Sequence, residues 1–501
     1  MTKTKWYQEP IHLMVALALV LSLGMVAVPM PGTVEASPGT DYYVAINGSD
    51  GDTGLDWAHA LKTITYAVES KATTTGDVIH VADGVYDDDI NCENFPIDFN
   101  TNGVSLIGAG GDTSIIDANN QEVNILNIWA DGVSISWFEL RNARAKWWVE
   151  TGHGIYMNDA DDCDISNLEI YNLTQGTSQT REPVAIFMEN GSDGNTFSSI
   201  EIYDITSDYQ PRGIWCDSCG GNQFTDINIH DVDNTDGDPR ENSCAYGIHL
   251  SSSSGNTFDE ITISSITGGN WSEGIQLSYS HNNTVGDLSI SDVYGNKYVY
   301  GILLLDSSDN TFGSSSEIWN IDAEFGCSIG IGIEKDIDGS NRNTFKSFDI
   351  HDTCYGFYID KSGDNFITKS KIHDNVEGVH LCSAIDECVG NRLKCNNIYR
   401  NRDYGVYKEN PPDVDATGNW WGDASGPAHS PGTGDRISDN VLYDPWLLDE
   451  FQYCPECGGT PRPPVGGEAY PVSRLAILAP WIALIAAIIT GTTIIRRRRR
   501  A

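Results

Sequence analysis

One short phrase recurs through the middle of this 501-residue chain: an Asn, one intervening residue, then an apolar side chain. It stands at Asn195-Thr-Phe197, Asn222-Gln-Phe224, Asn256-Thr-Phe258, Asn283-Thr-Val285, Asn310-Thr-Phe312, Asn343-Thr-Phe345, Asn365-Phe-Ile367 and Asn391-Arg-Leu393. Consecutive copies lie 27, 34, 27, 27, 33, 22 and 26 residues apart. A period of that length marks one supersecondary unit, which buries its apolar face only by stacking on copies of itself. The chain is therefore expected to be a solenoid, and what its outer face does becomes the functional question.

Each unit carries two further apolar stretches. An alternating strand follows the Asn phrase, as at Ile200–Ile205, Ile227–Val232 and Ile261–Ile266. A Gly-led strand comes next: Gly154-Ile-Tyr-Met157, Gly213-Ile-Trp-Cys216, Gly247-Ile-His-Leu250, Gly274-Ile-Gln-Leu277, Gly301-Ile-Leu-Leu304, Gly356-Phe-Tyr-Ile359 and Gly378-Val-His-Leu381. Short strands separated by turns of Asn, Asp, Ser and Gly fit the coils of a β-helix. Amphipathic helical spacing is absent from the repeats, which argues against helical repeat architectures. Asn tolerates the left-handed backbone of a tight corner, and stacked Asn side chains can hydrogen-bond from coil to coil.

These phrases resemble the right-handed parallel β-helix repeat family, whose superfold includes pectate lyases, polygalacturonases and the NosD-like surface proteins. The resemblance spans roughly residues 40–447. Tyr42–Asp50 and Gly76–Tyr86 resemble the first strands of secreted β-helix proteins. Gly418–Pro427 with Asp444-Pro-Trp446 is similar to the end segment of many NosD-like surface proteins. The expected fold is all-β, a right-handed parallel β-helix solenoid of about 12 coils, roughly 55–60 Å long at ~4.8 Å per strand. Open solenoid ends must be covered. Asp56–Val68 has helical spacing and is expected to cap the first coil, with Trp420 and Trp421 sealing the last.

Residues 1–36 read as a signal peptide: Lys3 and Lys5, an apolar run from Ile11 to Val28, then small residues at Val34-Glu-Ala36. The β-helix domain is placed at 37–447, and a Pro/Gly-rich stalk at 448–473. Residues 474–501 read as a C-terminal transmembrane anchor or sorting signal with an Arg tail. Leu475–Ile495 is long and apolar enough to span a bilayer, and Arg496–Arg500 puts the C-terminus in the cytoplasm. Retention and cleavage of this helix both stay open. The expected localisation is extracellular, anchored to the cell surface or membrane by the C-terminus.

Setting aside Lys3, Lys5, the five terminal Arg, Glu9 and Glu35 leaves 23 basic and 69 acidic residues, a balance of −46. Phosphate binding needs clustered Lys and Arg, so nucleic acid is excluded as a partner. An anionic polysaccharide is repelled unless divalent cations bridge it. Ca²⁺ is the one cofactor the sequence admits, through the oxygens of the Asp231–Asp238 loop, although that loop breaks the EF-hand spacing. The 12 cysteines are read as local disulfides, including Cys216/Cys219, Cys454/Cys457 and the set Cys382, Cys388 and Cys395. The two CxxC pairs lie too far apart in sequence to read as a zinc site.

Strand alternation predicts the outward residues of the Gly-led strands: Tyr156, Phe187, Trp215, His249, Gln276, Leu303, Gly332, Tyr358, His380 and Tyr407. Seven of these ten are aromatic or His, and none is a carboxylate, Lys or Arg. Pectate lyases, as the resemblance implies, need acidic Ca²⁺ ligands and an Arg or Lys base along this face. Glycosidases need two carboxylates, about 5 Å apart for retention or about 6.5–9.5 Å for inversion. The row supplies neither. Gly152-His153-Gly154 and Asp161-Asp162 look like fragments of the polygalacturonase pattern, in reversed order and without its Arg-Ile-Lys phrase. What the row offers is stacking for pyranose rings; the alternative is a ladder of aromatics favoured on strands.

Long insertions before Gly213 and Gly247 wall the N-terminal half of the row, where Trp147, Trp148, Arg181, Arg212 and Arg240 also gather. The candidate groove covers residues 145–280, with Tyr156, Phe187, Trp215, His249 and Arg212 as substrate-binding residues. No catalytic residue and no metal ligand set is assigned. A second outward row on the neighbouring strand reads Tyr171, Tyr203, His230, Ser264, Ser291, Trp319, His351, His373 and Tyr399. His351 and His373 fall one coil apart, close enough to share a metal, and NosD-like proteins are associated with copper-site maturation. The expected function is a surface-anchored protein that binds extracellular polysaccharide or cell-envelope glycan, or mediates adhesion. The alternatives are a polysaccharide lyase or glycoside hydrolase acting in the same groove, a structural surface-layer component, and a NosD-like metal-site maturation protein. Whether the chain is an enzyme stays open.

Overall fold

The computed structural model describes residues 39–110, 113–146, 151–176, 182–235, 243–381 and 388–450. Strand pairs one coil apart run parallel, gathered into one sheet of 23 strands and one of 12. The 12-stranded sheet takes one strand from each coil, from Ile97–Phe99 to Tyr404–Lys408, in unbroken chain order. This agrees with the expected number of coils.

The recurring Asn is the strut of the stack. The backbone N–H of each donates to the side-chain Oδ1 of the next: Asn195 to Asn222 at 2.8 Å, Asn222 to Asn256 at 3.0 Å, and Asn256 to Asn283 at 2.9 Å. The ladder continues through Asn310, Asn343 and Asn365 to Asn391, at 2.8 to 2.9 Å. Each Nδ2 turns back to a carbonyl, as Asn222 does to Ser192 at 3.0 Å. All eight side chains are buried, so this column satisfies both ends of an amide that would otherwise be costly to enclose. The apolar residue two positions on fills the interior, and Phe197, Phe224 and Phe258 stack at 4.8 and 4.6 Å between ring centres.

The Gly-led strands bend at their glycine. A Cβ on Gly247 would fall 2.6 Å from the carbonyl oxygen of Gly274 and 2.8 Å from the Ile263 side chain. The close approach leaves room only for hydrogen. The residues on either side of the bend therefore face outward together.

At the N-terminal end the expected helix over Asp56–Val68 is replaced by two short pieces. A 3-10 turn covers Trp57–His59, N-capped by Asp56. After an extended stretch in which Leu61 bridges Val44, helical turns run from Ile64 to Lys71, capped by Thr63. Pairing with the first strand outcompetes helix at Ala60–Thr63, while Ile64, Ala67 and Val68 are buried over the first coil. At the other end Trp421 is fully buried and Trp420 bridges Asn397, closing the last coil as expected.

Cys327 and Cys354 form a disulfide that the sequence reading did not single out, and Cys388 and Cys395 are also disulfide-bonded. The expected Cys216–Cys219 bridge is corrected: both are buried thiols. Cys216 occupies an inward core position in register with Met188 and Leu250, and Cys219 lies beyond the strand end. Among the described residues no helix is long and apolar enough to cross a membrane. The signal peptide, the stalk beyond residue 450, the segment 474–501, Cys382 and the Cys454/Cys457 pair lie outside the described residues.

Candidate functional site

Two outward columns flank the glycine bend of the 12-stranded sheet. After the bend, pairing sets Tyr156, Phe187, Trp215, His249, Gln276 and Leu303 side by side on successive strands, as strand alternation predicts. Before it, Arg212, Tyr246, Glu273 and Tyr300 form a second column. Side chains from both columns pack into two apolar clusters separate from the solenoid core. One joins Tyr156, Val184 and Phe187 with Trp215; the other joins Tyr300, Leu303 and Ile329.

The five expected binding residues are thus brought together. Their rings meet one another: Tyr156 and Phe187 lie 5.6 Å apart, Phe187 and Trp215 4.3 Å apart at 14°, and Trp215 and His249 6.1 Å apart at 3°. The Arg212 guanidinium sits 4.3 Å from the Trp215 ring centre and 4.9 Å from that of Tyr246. It is ion-paired with Glu182 and donates from Nη2 to Gln210 at 2.6 Å. Tyr156 and Phe187 are 6% and 2% exposed. Ring faces are largely turned on their neighbours, and polar atoms are enclosed among them.

Those polar atoms are short of partners. Among the described residues nine buried side-chain nitrogens and oxygens make no hydrogen bond, and five of them are here: Arg212 Nε, Trp215 Nε1, His249 Nδ1 and both oxygens of Glu273. Glu273 is fully buried. Burial pushes its carboxyl well above the ordinary range; Arg212 opposes the shift and Glu334 adds to it. Burial, helped by Arg212, pushes His249 well below its ordinary value. The corner therefore holds a carboxyl pushed towards its protonated form, an imidazole pushed towards its neutral form, an indole N–H, and a guanidinium ion-paired with Glu182. Such a set can exchange hydrogen bonds with hydroxyl groups without demanding charge from the ligand.

The expectation that these strands carry no carboxylate is corrected by Glu273, and Tyr246 and Tyr300 were missed with it. The signal was present as the residue immediately before each glycine: Arg212, Tyr246, Glu273, Tyr300, Tyr355, Glu377 and Tyr404. Strict alternation assigns that position inward; the glycine bend turns it out. His153 is buried against Phe187, 5.2 Å between ring centres, whereas Asp161 accepts the Asp193 N–H at 2.8 Å in the turn stack. Trp147, Trp148, Arg181 and Arg240 lie outside the described residues, as do residues 236–238 of the Asp231–Asp238 loop. Within that loop Asp231 is hydrogen-bonded to His230 Nδ1 at 2.7 Å.

On the other sheet the rings of His351 and His373 stack at 5.1 Å. His351 engages Asp352 at 2.8 Å and Glu317 at 3.4 Å; His373 engages Asp374 at 2.6 Å and Asp349 at 2.9 Å. Burial works against a charged His373, yet its bonds to Asp349 and Asp374 hold its pKa above the ordinary value. Burial would likewise raise Asp349, but hydrogen bonds from His373 and Lys371 outweigh it and hold it at about 2. Both ring nitrogens of each imidazole are thus engaged by carboxylates. Among the described residues no group of three His, Cys, Asp or Glu could hold a metal ion.

Two family models match the chain. One, described as right handed beta helix region, matches residues 97–336, and one described as periplasmic copper-binding protein (NosD) matches residues 314–445. No curated protein matches the chain in sequence. Among solved structures, the catalytic domain of a GH87 alpha-1,3-glucanase variant in complex with tetrasaccharides is 13% identical, with a TM-score of 0.54 over 85% of this chain and 71% of that one. A second variant of the same domain, also with tetrasaccharides, gives 0.50 at the same identity and coverage. The A-module of the Azotobacter vinelandii mannuronan C-5 epimerase AlgE6 is 13% identical, with a TM-score of 0.49 over 76% of this chain and 94% of that one. At such identities the likeness is one of fold.

Proposed function

This chain belongs to the right-handed parallel β-helix repeat family, and on that premise we propose that it binds an extracellular polysaccharide along the outer face of its 12-stranded sheet, over residues 145–280. The observation that carries the reading is the concentration of five unpartnered buried polar atoms on Arg212, Trp215, His249 and Glu273. Buried polar groups in native folds nearly always find partners. Hydroxyls of a saccharide both donate and accept, and so match in kind this mixed set of donors and acceptors. Tetrasaccharides bound to a glucanase of the same fold support this choice of ligand. The periplasmic description of the family matching residues 314–445 supports a location outside the cytoplasm, in keeping with a signal peptide at 1–36 and an anchor at 474–501.

Affinity for a panel of soluble polysaccharides tests the reading. Trp215→Ala should weaken binding about tenfold or more, the scale of one lost ring contact and one lost hydrogen bond, with the circular dichroism spectrum unchanged. Equal affinity in wild type and variant would end the proposal. One observation also favours a glycoside hydrolase: burial raises the Glu273 carboxyl well above its ordinary pKa, the direction a general acid needs. Product size on the same panel separates the two, since cleavage shortens the chain and binding leaves it intact.

A further inference from the structure

The 23-stranded sheet carries a groove of its own, about 340 Å³, at the corner where each long strand folds into two halves. Trp137, Asn167, Glu169, Glu201, Asp226 and Asn228 line it. None of them belongs to the Arg212–Trp215 corner.

The corner position is left-handed in the coils that line the groove. It is occupied by Asn167 at φ 55°, Ser199 at 53° and Asp226 at 57°, residues whose short polar side chains tolerate that conformation. Trp137 takes the same position at φ 68° with its indole 46% exposed. A bulky aromatic is an uncommon choice for a left-handed corner, and nearly half of this one is left to solvent, which points to a use for the exposed ring. Beside it, sheet register sets Glu139, Glu169 and Glu201 opposite one another on three successive strands. All three are engaged from the side, Glu169 by the Tyr203 hydroxyl at 3.2 Å. Tyr171 donates to Glu139 at 2.7 Å, and Glu201 Oε1 takes both Asn228 at 3.2 Å and His230 at 3.2 Å. Glu201 Oε2 makes no hydrogen bond among the described residues.

We propose that this groove is a second carbohydrate site, taking an uncharged pyranose chain laid along the solenoid axis with one ring on Trp137. A ligand running that way meets the same acceptors once per coil, about every 4.8 Å, close to the rise of one pyranose in an extended chain. Carboxylates accept paired hydroxyls well, whereas they repel a polyuronate. Arg141, 3.7 Å from Glu139, is engaged by Asp117 at 2.8 Å and by the Tyr171 hydroxyl at 3.0 Å.

Calorimetric titration of the purified full chain with cellohexaose, laminarihexaose and an oligogalacturonate tests this, in the Trp215→Ala background so that the other face is weakened. A neutral hexasaccharide should still bind. Adding Trp137→Asn should lower that residual affinity about tenfold. Because Asn already serves this corner at Asn167, the fold should be kept, with a thermal midpoint equal to or above that of the parent. Three outcomes overturn the proposal: no neutral hexasaccharide bound once Trp215 is replaced, unchanged affinity on Trp137→Asn, or a preference for oligogalacturonate that Trp137→Asn abolishes.

Discussion

At the scale of single residues, the same chemistry is used twice with opposite outcomes. Each ladder Asn is buried and satisfied; Glu273 is buried and is not. Asn256→Ala removes the acceptor for the Asn222 N–H and the donor to the Cys219 carbonyl. Leaving such groups dry costs about 1–3 kcal/mol each, which should appear as a lower denaturation midpoint with secondary structure retained in native buffer. Glu273 makes stability depend on pH. Its native pKa lies well above that of the unfolded carboxyl, near 4.3. Between the two values the native state holds a proton the unfolded state has lost. Stability therefore falls as pH rises through that window, by up to about 1.4 kcal/mol per pH unit. Glu273→Gln removes this dependence, so denaturation midpoints measured from about pH 5 to about pH 8 should diverge in favour of the variant. His249 acts in the other direction: held low in the native state, it costs stability as pH drops below its unfolded value near 6.5. That acid-side loss should persist in the Glu273→Gln protein.

At the scale of the elements, the coil is built from a left-handed corner, an amide column and a glycine bend. Gly247→Ala would drive a methyl against the Gly274 carbonyl and Ile263. A cost of about 1–3 kcal/mol is expected from overpacking, read as a lower denaturation midpoint together with a change in Trp215 fluorescence, since His249 beside it would shift. The coil itself was legible in the sequence because the Asn phrase and the Gly-led strand repeat, and each repeat reports the same buried environment. The row Tyr156–Phe187–Trp215–His249 was legible for the same reason, through period-two alternation. Glu273 was not. Alternation counts backward through Gly274 as if the strand were straight, and the bend that turns Glu273 outward is visible only in the approach of Gly274 to Gly301. The N-terminal helix was misread at Ala60–Thr63 because local spacing does not register the pairing of Leu61 with Val44.

At the scale of the whole molecule, a chain of formal charge −41 stacks carboxylates in register and repels itself. Screening lengths shorten from about 10 Å at 0.1 M salt to about 3 Å at 1 M. The thermal midpoint is therefore expected to rise with added NaCl, and a midpoint that falls or stays flat would show that self-repulsion is not a governing term. The same charge makes uncharged chains the favoured ligands for both outer faces. The most direct test uses residues 37–451, which take in every residue the structure describes. Its affinity would be measured for neutral and acidic polysaccharides, with and without Ca²⁺, for wild type and Trp215→Ala. Binding of a neutral polysaccharide that needs no Ca²⁺ and weakens about tenfold on Trp215→Ala is the predicted result. Failure of every polysaccharide to bind, or affinity indifferent to Trp215, would contradict it.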